Sequence, residues 1–113
     1  MLIDAHMHAY PDALAGKALA RVAAYSPVPP SADGTVAGML KLMNEQGIEK
    51  GLLLHVAASP RSQKKVNDFA AEVMQHSGGR FVCFGSVHPD AEDAKDELYR
   101  VQALNLPGIK LHP

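Results

Sequence analysis

Short apolar runs alternate with helix-length amphipathic stretches along this chain, and that alternation restricts the fold more than any other property. Leu2 to His8, Ile48 to Val56, Phe81 to His88 and Gly108 to His112 read as strands. The second and third contain Gly51-Leu52-Leu53-Leu54 and Phe81-Val82-Cys83-Phe84, apolar on both alternating faces, which suits strands covered on both sides in a parallel sheet. Thr35 to Gln46 carries Val36, Met39, Leu40 and Met43 on one helical stripe, with Asp33 as the expected N-cap and Gly47 just past the end. Ser62 to Ser77 groups Val66, Phe69, Ala70 and Val73 before Gly78-Gly79. A third helix, with Asp90 as its expected cap, shows Ala94, Leu98 and Val101 on one face and ends before Pro107-Gly108. Right-handed crossovers through these helices predict an α/β fold, a parallel βαβ repeat of about four strands with helices outside.

The chain of 113 residues is one domain's worth, enough for a single core but short of the roughly 250 residues of an eight-stranded barrel. Its apolar content of 47% argues against disorder. Eleven basic and twelve acidic residues are spread without long like-charged runs, which gives nucleic acid or an anionic membrane nothing to hold. Asp4 interrupts the N-terminal apolar run at once, and no run approaches the ~20 residues of a membrane span, so the expected setting is cytoplasmic. The lone Cys83 reads as a small buried hydrophobe. Residues 9–34 form an insert after the first strand: a helical stretch from Ala13 to Ala24, then the breaker run Ser26-Pro27-Val28-Pro29-Pro30, placed where it could wall or lid a site at the strand ends.

Each strand closes on a histidine: His8, His55, His88 and His112. In parallel strands these ends meet at one face. Alternation puts Asp4, His6 and His8 on one side of the first strand, so two imidazoles two residues apart can reach one metal ion. Neutral imidazole suits zinc, iron and nickel, with zinc–nitrogen distances of about 2.0–2.1 Å. Lys110 and His112 share a face of the fourth strand. No G-x-G-x-x-G follows the first strand and no G-x-x-x-x-G-K occurs, which disfavours a nucleotide-binding open sheet.

Leu2-Ile3-Asp4-Ala5-His6-Met7-His8 resembles the first-strand signature of the amidohydrolase superfamily, metal-dependent hydrolases on a (β/α)8 barrel. Met43 to Ile48, Phe84 to Pro89 and Gly108 to Pro113 are similar to its amidohydrolase-related branch, which includes metal-dependent decarboxylases. The resemblance implies the N-terminal half of a TIM-type barrel, a single partial domain over residues 1–113. It implies a divalent metal, zinc by preference, held by His6 and His8. Asp4, His55, His88, Lys110 and His112 fall where substrate contacts or supports of the metal ligands lie, and the catalytic base and remaining ligands are expected beyond residue 113.

The leading expectation is hydrolysis of a small amide, ester or lactone by a metal-activated water. Alternatives are metal-dependent decarboxylation of a small carboxylic acid, and a catalytically incomplete barrel fragment that self-associates. The expected partners are a small-molecule substrate and, if the chain stands alone, further copies of itself that cover its open strand edges.

Overall fold

The computed structural model describes residues 1–112. Pro113, which closes the fourth of the family-like stretches, lies outside the described residues. In chain order the elements are β1 (Ile3–Met7), α1 (Asp12–Ala23), α2 (Val36–Gln46), β2 (Lys50–Leu54), α3 (Gln63–His76), β3 (Phe81–Ser86), α4 (Ala94–Ala103) and β4 (Ile109–Lys110). All neighbouring strands are parallel and lie in sequence order, β1-β2-β3-β4. The predicted βαβ repeat is therefore observed.

Alternation along β2 and β3 sorts their side chains onto two faces. Leu53, Phe81 and Cys83 turn toward the helices and are buried with Met7, Met43, Ala70, Val73, Val101 and Leu106. Burial pushes the Cys83 thiol up to about 12, so it packs as an inert apolar group. Leu52, Leu54 and Phe84 line the other face, where Val82 is 39% exposed. That face is the concave wall of an open half-barrel. Two glycines allow the close packing: a Cβ on Gly108 would stand 2.6 Å from the Phe84 ring, and one on Gly51 would meet the Met7 sulfur. Neither position admits a side chain without displacing a neighbour.

The helix ends depart from expectation in detail. Thr35, not Asp33, caps α2: its Oγ1 accepts the Gly38 N–H at 2.9 Å, while Asp33 Oδ1 accepts from both the N–H and the hydroxyl of Thr35. Gly47 ends that helix in the left-handed conformation, φ 69°, where a glycine carries no steric penalty. Helix α4 begins after Asp93 rather than Asp90. Its buried residues are Glu97 and Val101, and Leu98 is 42% exposed. The buried stripe of α3 is likewise rotated, running Gln63, Asn67, Ala70 and Val73.

Those buried polar residues form a network where β2 and β3 part. Ladder pairing runs as far as Leu54 opposite Phe84. Two residues on, the Asn67 side chain takes the place of a strand: its Oδ1 accepts the Ser86 N–H at 2.7 Å and its Nδ2 donates to the Ser86 carbonyl at 2.9 Å. Nδ2 also donates to Glu97 Oε1 at 2.8 Å, and Arg100 donates to both Glu97 oxygens. Burial alone would raise the Glu97 carboxyl, but the bonds from Arg100 and Asn67 outweigh it and hold the group below its ordinary range. Ser86 Oγ accepts the Ala57 N–H and donates to the Lys110 carbonyl, which fastens β2 and β4 to β3.

The insert is joined at its neck by the Tyr10 N–H to the Gly34 carbonyl, 2.9 Å. Within α1 only Ala15 is buried. Among the described residues no helix is long and apolar enough to cross a membrane.

Replacing Asn67 with alanine strands the N–H and the carbonyl of Ser86 and removes one of the two bonds to Glu97 Oε1, which Arg100 still holds. Each unsatisfied buried group costs about 1–3 kcal/mol, so urea unfolding of Asn67→Ala should show a loss of roughly 3 kcal/mol relative to the parent. A loss below 1 kcal/mol would show that water replaces the amide.

Candidate functional site

The site begins with an irregularity in β1. Its register against β2 shifts between Asp4 and Met7, a bulge of the kind that re-aims side chains at a strand end. Asp4 Oδ1 accepts the His6 backbone N–H at 2.9 Å, so this carboxylate braces the peptide rather than an imidazole ring. Beyond it the two rings converge, His6 Nε2 standing 3.1 Å from His8 Nε2. Met7 between them is buried on the opposite side.

Proton placement follows from the partners. His8 Nδ1 lies 2.8 Å from the Leu54 carbonyl, which can only accept, so Nδ1 carries the hydrogen. In neutral His8 the lone pair is then on Nε2, the atom that faces His6. Burial lowers the His8 pKa; the Leu54 carbonyl bond opposes this, and the charges of His6, Lys110 and His112 reinforce it. The ring is therefore neutral at pH 7. A backbone carbonyl that fixes the far nitrogen while the near one is left bare is the usual support of a metal-ligating histidine.

The donor set fits a metal in part. Two imidazole nitrogens, each about 2.0–2.1 Å from one zinc ion, stand roughly 3 Å apart when they subtend about a right angle. The 3.1 Å separation matches that spacing. Among the described residues no group of three or more His, Cys, Asp or Glu is assembled to hold an ion. The described residues thus present two candidate donors where a zinc site uses at least three protein groups.

The remaining predicted residues divide into two sets. Lys110, half-buried, and His112, exposed, lie close enough for their charges to bear on His8, on the concave side. Lys110 is held through its carbonyl by Ser86. His88 sits two residues past β3, its N–H donated to Gln63 Oε1 and its Nδ1 accepting the Asp90 N–H, both at 3.2 Å, so its neutral form is protonated at Nε2. His55 faces the other way. It shares the helix side with Leu53, is 6% exposed and meets the Phe69 ring edge-on at 5.6 Å. Its Nε2 has no partner among the described residues. Burial, assisted by the charge of His8, pushes His55 down to about 4.

Sequence reasoning missed the residues that hold these strand ends: Gln63, Asn67 and Ser86. The available signal was the i, i+4 pair of amides in line with Ala70 and Val73 on α3, polar groups on an otherwise apolar stripe.

Solved structures similar to this chain include two decarboxylases. The crystal structure of 5-carboxyvanillate decarboxylase LigW from Sphingomonas paucimobilis matches with a TM-score of 0.67 and 20% identity, covering 96% of this chain and 41% of that one. The crystal structure of 2,6-dihydroxybenzoate decarboxylase complexed with 2,6-dihydroxybenzoate matches with a TM-score of 0.66 and 22% identity, covering 96% and 39%. The chain spans about two fifths of the length of these proteins. No protein-family model matches it, and no curated protein does. At this identity the likeness defines the fold: four parallel strands with their helices, as in the N-terminal half of a TIM-type (β/α)8 barrel.

His55 gives a pH dependence whose sign is fixed. Its folded pKa lies below the ordinary 6.5, so the unfolded chain takes up the proton first and stability is lost as pH falls from 6.5 toward about 4. At 1.36 kcal/mol per unit the loss attributable to this group is roughly 3 kcal/mol. Urea midpoints measured at pH 7.5 and 4.5 should differ less in His55→Phe than in the parent; equal differences would remove His55 as the cause.

Proposed function

We propose that this chain forms the metal-binding first half of an amidohydrolase-type barrel, and that the reaction is non-oxidative decarboxylation of a small carboxylic acid. The observation that carries the metal reading is the pair of converging Nε2 atoms, 3.1 Å apart, with the His8 lone pair directed by the Leu54 carbonyl. A divalent cation, zinc or a metal of similar imidazole preference, would polarise a carboxylate or carbonyl there. The choice of decarboxylation is supported by both similar structures being decarboxylases by name.

The chain's own residues prepare the mouth for an anion. Lys110 brings positive charge to the concave side, which draws a carboxylate toward the histidine pair and orients it. His88, with its proton on Nε2, is a hydrogen-bond donor at the third strand end. Hydrolysis of an amide, ester or lactone is the second reading; the same ligand pair serves it. Further ligands and a base would come from additional strands of a longer barrel. The free edges of β1 and β4 and the partly open concave face also favour self-association of this chain as it stands.

Calorimetric titration with zinc chloride and with manganese chloride should give one saturable site per four-strand unit, and His6→Ala or His8→Ala should weaken it at least ten-fold. Unchanged affinity in both variants would remove the pair as ligands. With metal bound, and the remaining strands of the barrel supplied, carbon dioxide release from a panel of benzoic acids is the expected activity. Turnover of lactones or anilides without carbon dioxide release would select hydrolysis instead.

A further inference from the structure

A cavity of about 220 Å³ lies at the carboxyl ends of β1 and β2, walled by α1 and α3. Its lining draws on both sides of the strand ends, Leu54 from the concave face and His55 from the helix side. His55 and Phe69, packed edge to face, belong to its lining, as do His8 and Leu54, which are joined by a hydrogen bond. The stripe Ser62, Lys65, Val66 and Phe69 on the α3 side faces Tyr10 and Leu14 of the insert.

The chemistry of the walls is uneven. Leu14, Leu54, Val56, Val66 and Phe69 make the body apolar. Lys65 is exposed at the rim and has no ion-pair partner among the described residues. Tyr10 is half-buried, and its phenol O–H is a hydrogen-bond donor. His55, neutral at pH 7, is the lining residue with a ring nitrogen that no protein group satisfies. An apolar body with one cation and one neutral donor at its edge suits a small amphiphilic anion. For size, an apolar cavity of about 150 Å³ admits benzene, so the volume here takes a chain of roughly six to eight carbons.

We propose that this cavity, which borders the histidine pair at His8, is a ligand pocket that binds a small monocarboxylate by its apolar tail with the carboxylate at Lys65 and Tyr10. The inference stands on the cavity and does not depend on the metal reading. It gives the insert a role: Tyr10 and Leu14, at its start, form the wall opposite α3.

The test is a ¹H–¹⁵N correlation titration with three probes: sodium hexanoate, 1-hexanol and sodium acetate. Hexanoate should produce saturable shifts at Tyr10, His55, Val66 and Phe69, hexanol the same pattern with several-fold weaker affinity, and acetate none. Lys65→Met should reduce hexanoate to the affinity of hexanol. Val66→Phe, which fills the cavity, should abolish both patterns while leaving a dispersed spectrum; a dispersed variant that still binds would overturn the proposal. His6→Ala should bind hexanoate as the parent does while losing zinc, and loss of hexanoate binding there would place the ligand on the histidine pair. Equal shifts with acetate, or no saturable shift with hexanoate, would reduce Lys65 to a surface charge and refute the site.

Discussion

The Asn67 amide completes the backbone of Ser86 at the level where β2 and β3 stop pairing. Strands in a barrel wall must splay at the mouth to leave room for a site, and splaying strips peptide groups of their ladder partners. A fully buried amide from α3 supplies both missing bonds at once. Through Ser86 Oγ the same point anchors the chain after β2 and the carbonyl of Lys110 in β4, and through Glu97 and Arg100 it ties α3 to α4. The openings between strands and the rigidity of their ends therefore share one origin.

The histidine pair depends on the same logic at the other edge. A bulge in β1 and the Asp4 brace set the peptide of His6, and the Leu54 carbonyl of the neighbouring strand sets the tautomer of His8. The His8 imidazole is therefore not free to choose its proton, and its lone pair sits on Nε2. A lone pair held in place by a strand-to-strand contact reduces the reorganisation His8 needs when a cation arrives, which is how preorganised sites gain affinity.

Much of the fold was legible in the sequence. Apolar runs of strand length with helix-length stripes between them imply the parallel order, and the first, second, third and fourth strands fall where the runs lie, each trimmed by one or more residues at its ends. The trimming has a cause: the last residues of each run have left the ladder to form the mouth. Periodicity misplaced the buried stripes of α3 and α4, because it counts apolar residues and these helices bury Gln63, Asn67 and Glu97 instead. The capping error at α2 is of the same kind. Asp33 and Thr35 are both good caps by type, and only the hydrogen bonds show Thr35 in the role with Asp33 holding it. The convergence of His6 and His8 was readable from alternation; the orientation of His55 was not recognised, because a histidine after an apolar run invites a functional reading even when its parity with Leu53 assigns it to the helix side.

The neck of the insert carries one last consequence. Tyr10 and Gly34 are bridged by a single backbone hydrogen bond, so the excursion leaves and rejoins the domain at neighbouring points. A segment tethered in this way can change length at little entropic cost, since closure free energy grows only slowly with loop size. The frame of strands and the material above β1 are thus separable units of variation: the mouth can be rebuilt by exchanging one cassette while the sheet, its amide plug and its histidine pair stay as they are.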